Sequence, residues 1–214
     1  MSLELDPVET RILGCLLEKE RLTPEYYPLS LNSLTAACSQ STNREPVVAW
    51  DEATVERGLD SLRLRKLAVM LHAAGARAPK YRHALPDHFE LSRSEMALLT
   101  VLLLRGPQTA GELRARTDRY QAFQNIEEVE QALIGMGTGG EPLVKLLPAR
   151  PGQKERRYVQ TLSAFQEEPQ ETVIAYTEVP AEPGRMEKLE AEVDSLRKEL
   201  QALREEFQRF REQF

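Results

Sequence analysis

The apolar positions of the chain follow one plan twice. Val8, Ile12, Cys15 and Leu16 are spaced three and four apart, as on one face of a helix. Leu98, Leu99, Leu102 and Leu103 make a second such stripe. Each stripe is preceded by the same start signal. Asp6 and Ser92 are N-cap residues, and Glu9 and Glu95 stand three positions on, where a carboxylate reaches back to the cap's own N–H. Pro7 sits at the first helical position, where its missing donor costs nothing. Thr23 and Thr109, 86 residues apart like the caps, mark where each helix ends and a next element begins.

The register shifts and then matches again. Val55, Leu59 and Leu62 correspond to Val129, Leu133 and Met136 on a further helix in each half. Short apolar runs at 67–71 and 143–147 read as strands. Loops through Gly75 and Gly152 follow, and second strands lie around Tyr81 and Tyr158, both pairs 77 residues apart. The order helix, helix, helix, strand, basic loop, strand is that of a winged helix. The expected fold class is therefore mainly α with small β-wings (α+β). Two tandem winged-helix domains would span 1–90 and 91–165. The first copy is longer: its second helix is placed at 30–39, and a Pro-containing connection over 40–50 leads to a third helix capped by Asp51.

Proline and glycine then mark a linker at 166–184. Beyond it, Met186, Leu189, Val193, Leu196, Leu200, Leu203, Phe207, Phe210 and Phe214 alternate in steps of three and four. That repeat predicts a coiled-coil helix over 185–214. Its flanks favour a parallel homodimer. Glu192, Glu199 and Glu206 would face Arg197, Arg204 and Arg211 of a parallel partner, whereas an antiparallel pair would set like charges together.

Charge changes the picture only when it is divided. The net charge of −6 belongs to the tail: residues 1–90 carry −2, 91–165 carry +2 and 166–214 carry −6. Two cysteines in 214 residues make no disulfide framework and suit a reducing compartment. Cys15 and Cys38 read as small core residues. With no apolar stretch of spanning length and no signal core at the start, the expected location is cytoplasmic, away from membranes.

Nothing in the sequence has the spacing of a catalytic or metal site. The three histidines, His72, His83 and His88, have no His, Cys or carboxylate partner at ligand spacing, and His72 and His83 are expected at the surface. The glycines at 135, 137, 139 and 140 follow a helix rather than a strand and read as a helix stop. The expectation is a non-enzymatic protein without cofactor, metal or small-molecule substrate.

Two binding roles remain. In a DNA-associated dimer, the wing residues Arg77, Lys80, Arg82, Arg150, Lys154, Arg156 and Arg157 would contact phosphates. The third helices oppose this, because Asp51, Glu52, Glu56 and Asp60 in one copy, partly offset by Arg57, Arg63 and Arg65, and Glu127, Glu128 and Glu130 in the other, lie where a groove-reading helix meets phosphate. The alternative is a protein-interaction adaptor using Tyr26, Tyr27, Asn43, Arg44 and Glu45. The plain structural alternative for the last three is a brace that ties the long connection to the fold.

Four stretches go beyond pattern. They are ILGCLLEK at 12–19, TPEYYPLSLN at 23–32, TNREPV at 42–47 and LLLRGPQTAGELR at 102–114. Together they resemble the YceH-like family of bacterial proteins over roughly residues 3–165. The resemblance implies tandem winged-helix domains and a bacterial source. It implies no activity, substrate or catalytic residue.

Overall fold

Helix α1 (Pro7–Leu22) begins as its sequence dictates. The Asp6 carboxylate accepts from the Glu9 N–H at 2.8 Å, and Glu9 Oε2 accepts from the Asp6 N–H at 2.8 Å. The computed structural model describes residues 4–72, 78–138, 140–149 and 155–164, with 194, 195, 197–199 and 201 of the tail. Residues Met1–Gln166 form one compact unit and Glu167–Phe214 another. The described tail residues are helical. Met186, Leu189, Val193, Leu196, Leu200, Leu203, Phe207 and Phe210, the positions expected in a coiled-coil seam, lie outside the described residues.

After α1 the chain makes a 3-10 turn over Pro24–Tyr26, strand β1 (Leu29–Ser30) and helix α2 (Leu31–Cys38), capped by Ser30. A long connection leads to α3 (Glu52–Leu64), whose cap Asp51 accepts from the Thr54 N–H at 2.9 Å. Strands β2 (Ala68–Leu71) and β3 (Lys80–His83) pair antiparallel, and β1 adds to the other edge of β3, with Leu29 opposite Tyr81. The second half repeats this with α4 (Arg93–Arg105), α5 (Ala110–Thr117), α6 (Ile126–Gly137) and the antiparallel pair β4 (Val144–Leu146) and β5 (Tyr158–Gln160). Ser92 with Glu95 and Thr109 with Glu112 form capping boxes. Gln108 takes the place of β1, exchanging two backbone bonds with Tyr158 at 3.0 and 2.7 Å. The architecture is α+β, and each half runs helix, short strand or bridge, helix, helix, hairpin. The Thr23 signal is an exception: its segment forms the 3-10 turn, with no side-chain cap.

The halves pack through α1 and α4. Residues 9–18 of α1 and 97–104 of α4 are buried without interruption, so neither helix has a solvent face along its middle. Gly14 permits the approach: a Cβ there would lie 2.9 Å from Leu104 Cδ2 and 3.1 Å from Leu103 Cβ. One apolar core runs from Leu5 to Leu162. Its two ends meet, because the Leu5 N–H donates to the Leu162 carbonyl at 2.6 Å.

Candidate functional site

The polar interior lies where α1 meets the connection between α2 and α3. Arg11, Cys15 and Glu18 fall four and three residues apart, on one face of α1. From that face Arg11 donates to the Cys38 carbonyl at 3.2 Å and the Pro46 carbonyl at 2.7 Å, and lies 6.0 Å from the Trp50 ring centre. Arg44 reaches the opposite way. Its Nη1 and Nη2 donate to Glu18 Oε1 at 3.2 Å and Oε2 at 2.5 Å, and its Nε donates to the Ala37 carbonyl at 3.0 Å. Both side chains of this pair are essentially inaccessible, at 0% and 1%.

The second half completes the cluster. Asn43 holds a left-handed backbone (φ 58), which Asn tolerates better than most residues. Its amide donates to Glu18 Oε1 and to Tyr120 Oη, each at 2.7 Å. The Tyr120 hydroxyl donates to Glu18 Oε1 at 3.0 Å. Just beyond, the Glu45 N–H donates to the Leu104 carbonyl at the end of α4 at 2.9 Å. Burial alone would raise the Glu18 carboxyl, but Arg44, Asn43 and Lys19 outweigh it and hold it below the usual range. Burial first, then the Glu18 charge, keeps Tyr120 protonated and able to donate.

A second cluster joins α1 to β3. The Leu85 N–H donates to His83 Nδ1 at 3.3 Å, so Nε2 carries a proton toward Glu20 Oε2 at 2.8 Å. The Tyr27 hydroxyl accepts from the His83 N–H at 2.9 Å. His83 was expected at the surface and is instead buried, at 3% exposure. Its alternation along β3 turns it inward, and Glu20 and Leu85 satisfy both ring nitrogens. His72 is exposed.

The expected partner surface divides. Tyr26 is 70% exposed. Tyr27 is half-buried behind His83, and Glu45 is exposed at its side chain. Arg44 does not belong to a surface, because it spends its guanidinium on Glu18 and backbone carbonyls inside the protein. Asn43 likewise turns inward. For these two the brace describes the geometry. Of the expected phosphate contacts, Lys80 and Arg156 are exposed, and Arg82 and Arg157 are half-buried. Arg82 also donates to the His83 carbonyl at 3.1 Å. Arg77, Arg150 and Lys154 lie outside the described residues.

Glu18 and Tyr120 were not singled out from the sequence. Glu18 had a faint signal, an acid seven residues after Arg11 on a face that also carries Cys15. Tyr120 had none, because its role depends on the packing of the two halves. Among the described residues no group of three His, Cys, Asp or Glu side chains is placed to hold a metal ion. Among them too, no helix is long and apolar enough to cross a membrane.

The outward faces of the third helices are the remaining feature. On α3, Glu52, Glu56, Asp60 and Leu64 stand four residues apart in one row, all exposed, with Leu64 at 86%. On α6, Ile126, Glu130 and Ile134 form the corresponding row, with the two isoleucines 42% and 53% exposed. Glu127 and Gln131 lie beside them, also exposed.

The family model described as "Protein of unknown function, DUF480" matches residues 5–153. The chain is similar to UPF0502 protein GSU0233 of Geobacter sulfurreducens, at 46% identity over 198 residues and 90% of each chain. A UPF0502 protein of Geobacter metallireducens is 48% identical over 198 residues, again 90% of each. One from Opitutus terrae is 50% identical over 159 residues, 74% of this chain and 69% of that relative. The six α-helices of the two halves, their caps and the connection at 39–51 lie within the matched span, and the chain belongs to the DUF480 family, with the UPF0502 proteins of bacteria as its relatives.

Proposed function

We propose that the chain is a non-enzymatic protein-binding scaffold. It would consist of two winged-helix domains, at 1–90 and 91–165, carried on a parallel coiled-coil dimer formed by 185–214. The order of elements in each half supports the winged-helix reading, including the short strand or bridge between the first two helices. The unbroken heptads and the Glu and Arg flanks support the dimer.

One observation carries the choice of partner. The faces that would read a DNA groove are acidic and partly apolar on both third helices. Phosphates would meet Glu52, Glu56 and Asp60 on α3; among the described residues Asp60 is ion-paired to Arg63 at 2.7 Å and Glu52 accepts from the Asn32 amide at 3.1 Å. On α6 they would meet Glu127 and Glu130 beside exposed isoleucines. Such a face suits a protein segment in which basic side chains flank apolar ones, because the acids then gain partners while Ile126, Ile134 and Leu64 are covered. A DNA-associated role would rest on the wings, where Lys80 and Arg156 are exposed.

The test offers the intact chain two probes across a salt series: random duplex DNA and a helical peptide of alternating Leu and Lys rows. The peptide is expected to bind, and Ile134→Ser to weaken it, while DNA shows no salt-steep affinity. Salt-steep DNA binding, or peptide binding indifferent to Ile134→Ser, overturns the proposal.

A further inference from the structure

A cavity of about 310 Å³ opens in the seam between α1 and α4, near the low end of volumes that hold small ligands. Leu17, Leu91, Met96 and Ala97 supply apolar wall. The polar lining is Glu20, Arg21, Arg93, Thr100 and Tyr120. Most of these polar groups are already engaged. The Tyr120 hydroxyl is turned away into the Glu18 cluster, so that its ring serves as wall. The Thr100 hydroxyl donates to the Met96 carbonyl at 2.7 Å. Glu20 is held by His83 at 2.8 Å.

The two guanidinium groups differ from the rest. Arg21 is oriented by one bond, from its Nε to the Tyr120 carbonyl at 3.1 Å, which leaves its terminal nitrogens with no protein acceptor among the described residues. Arg93 has no hydrogen bond or ion pair among them. Two cations with spare donors therefore stand at a cavity with one apolar wall, whose one acid gives an oxygen to His83. A guanidinium matches a carboxylate with two parallel bonds. The nearby Glu20 charge disfavours a doubly charged group such as a phosphate monoester.

We propose that this cavity binds a small amphipathic monocarboxylate, with its apolar body against Leu17, Met96 and Ala97 and its carboxylate between Arg21 and Arg93. The proposal is independent of the protein-binding role, since the cavity lies on neither third helix.

The probe is 4-phenylbutyrate, titrated into the intact chain carrying methyl-labelled methionine. Among the described methionines, Met70, Met96 and Met136, Met96 alone lines the cavity. The Met96 methyl resonance is expected to shift saturably, through the ring current of the phenyl group, while Met70 and Met136 stay in place. The neutral isostere 4-phenylbutanol is expected to bind at least tenfold more weakly. Arg93→Gln and Arg21→Gln are each expected to weaken the acid several-fold and leave the alcohol unchanged. Arg93 is exposed on the first turn of α4, so its variant keeps the fold, which circular dichroism checks. Equal binding of acid and alcohol, acid binding indifferent to both substitutions, or no Met96 shift at millimolar acid overturns the proposal.

Discussion

Helices α1 and α4 hold equivalent places in the two halves, and both are buried all round along their middles, yet they reach that state differently. From Ala97 to Leu104, α4 is apolar except for Thr100, whose hydroxyl bonds back to the Met96 carbonyl. Over the equivalent stretch, residues 11–18, α1 carries Arg11 and Glu18, 4% and 1% exposed. Both are served by the connection at 39–51, which the second half shortens: Pro46 accepts from Arg11 at 2.7 Å and Arg44 donates to Glu18. The comparison separates two ways of packing a central helix. The apolar one is tolerant, because any close fit suffices. The charged one is conditional, because each ion must find its partner or the helix is destabilised.

The sharpest way to break this contrast is to remove one charge. Arg44→Met leaves Glu18 buried without its main partner and should cost about 3–5 kcal/mol, read as a lowered urea midpoint at unchanged slope. Replacing both, as Glu18→Leu with Arg44→Met, should recover part of that loss, less what Asn43 and Tyr120 lose with their acceptor. A single-variant cost below about 1 kcal/mol would show that the pair is not conditional in this sense. In α4, Leu102→Ala should cost about 2–5 kcal/mol through the cavity it leaves, with no second substitution that rescues it by charge.

Acid provides the same test without mutation. The Glu18 carboxyl is held below its usual range in the folded protein. Its contribution is therefore present above the unfolded value, about 4.3 for Glu, and is lost as the pH falls through the lower folded value. Unfolding measured between neutral pH and pH 2 should show a steeper acid loss for the natural chain than for the double apolar variant. Parallel curves would remove Glu18 as a source of acid sensitivity.

Smaller effects sharpen the joint. Gly14→Ala forces a methyl against Leu103 and Leu104 and should cost about 1–3 kcal/mol. Thermal melting checks this, and an unchanged midpoint would mean that α4 has room to move. Tyr120→Phe removes one donor to Glu18 and one acceptor for Asn43, and about 1 kcal/mol is expected. A double-mutant cycle with Asn43→Ala should then show coupling, since the two share Glu18. Least of all, Ser92→Ala should cost about 1 kcal/mol or less by removing the cap of α4.

Much of the fold was legible because its signals are local. A cap and the acid three residues on involve adjacent backbone, so Asp6 with Glu9 and Ser92 with Glu95 read directly from the chain. Stripe spacing is equally local, and α3 and α6 appear where Val55, Leu59 and Leu62 and their counterparts place them. The short strand before α2 was not legible, since two residues pairing with a distant β3 leave no periodicity. His83 was misjudged for a related reason. A polar residue on a short strand reads as exposed until Glu20, Tyr27 and Leu85 are known to surround it.

The sequence by itself determined the repeat, the start of most helices, the acidic character of the third helices and the heptad pattern of the tail. All of these follow from spacing and charge within a few turns of chain. Only the tertiary structure decided that the two halves share one core through α1 and α4, and that Arg44 and Asn43 face inward to Glu18 and Tyr120. It alone formed the cavity between Arg21 and Arg93. Those outcomes depend on contacts between residues as far apart as Glu18 and Tyr120, and no local pattern specifies which of many charged side chains will find a buried partner.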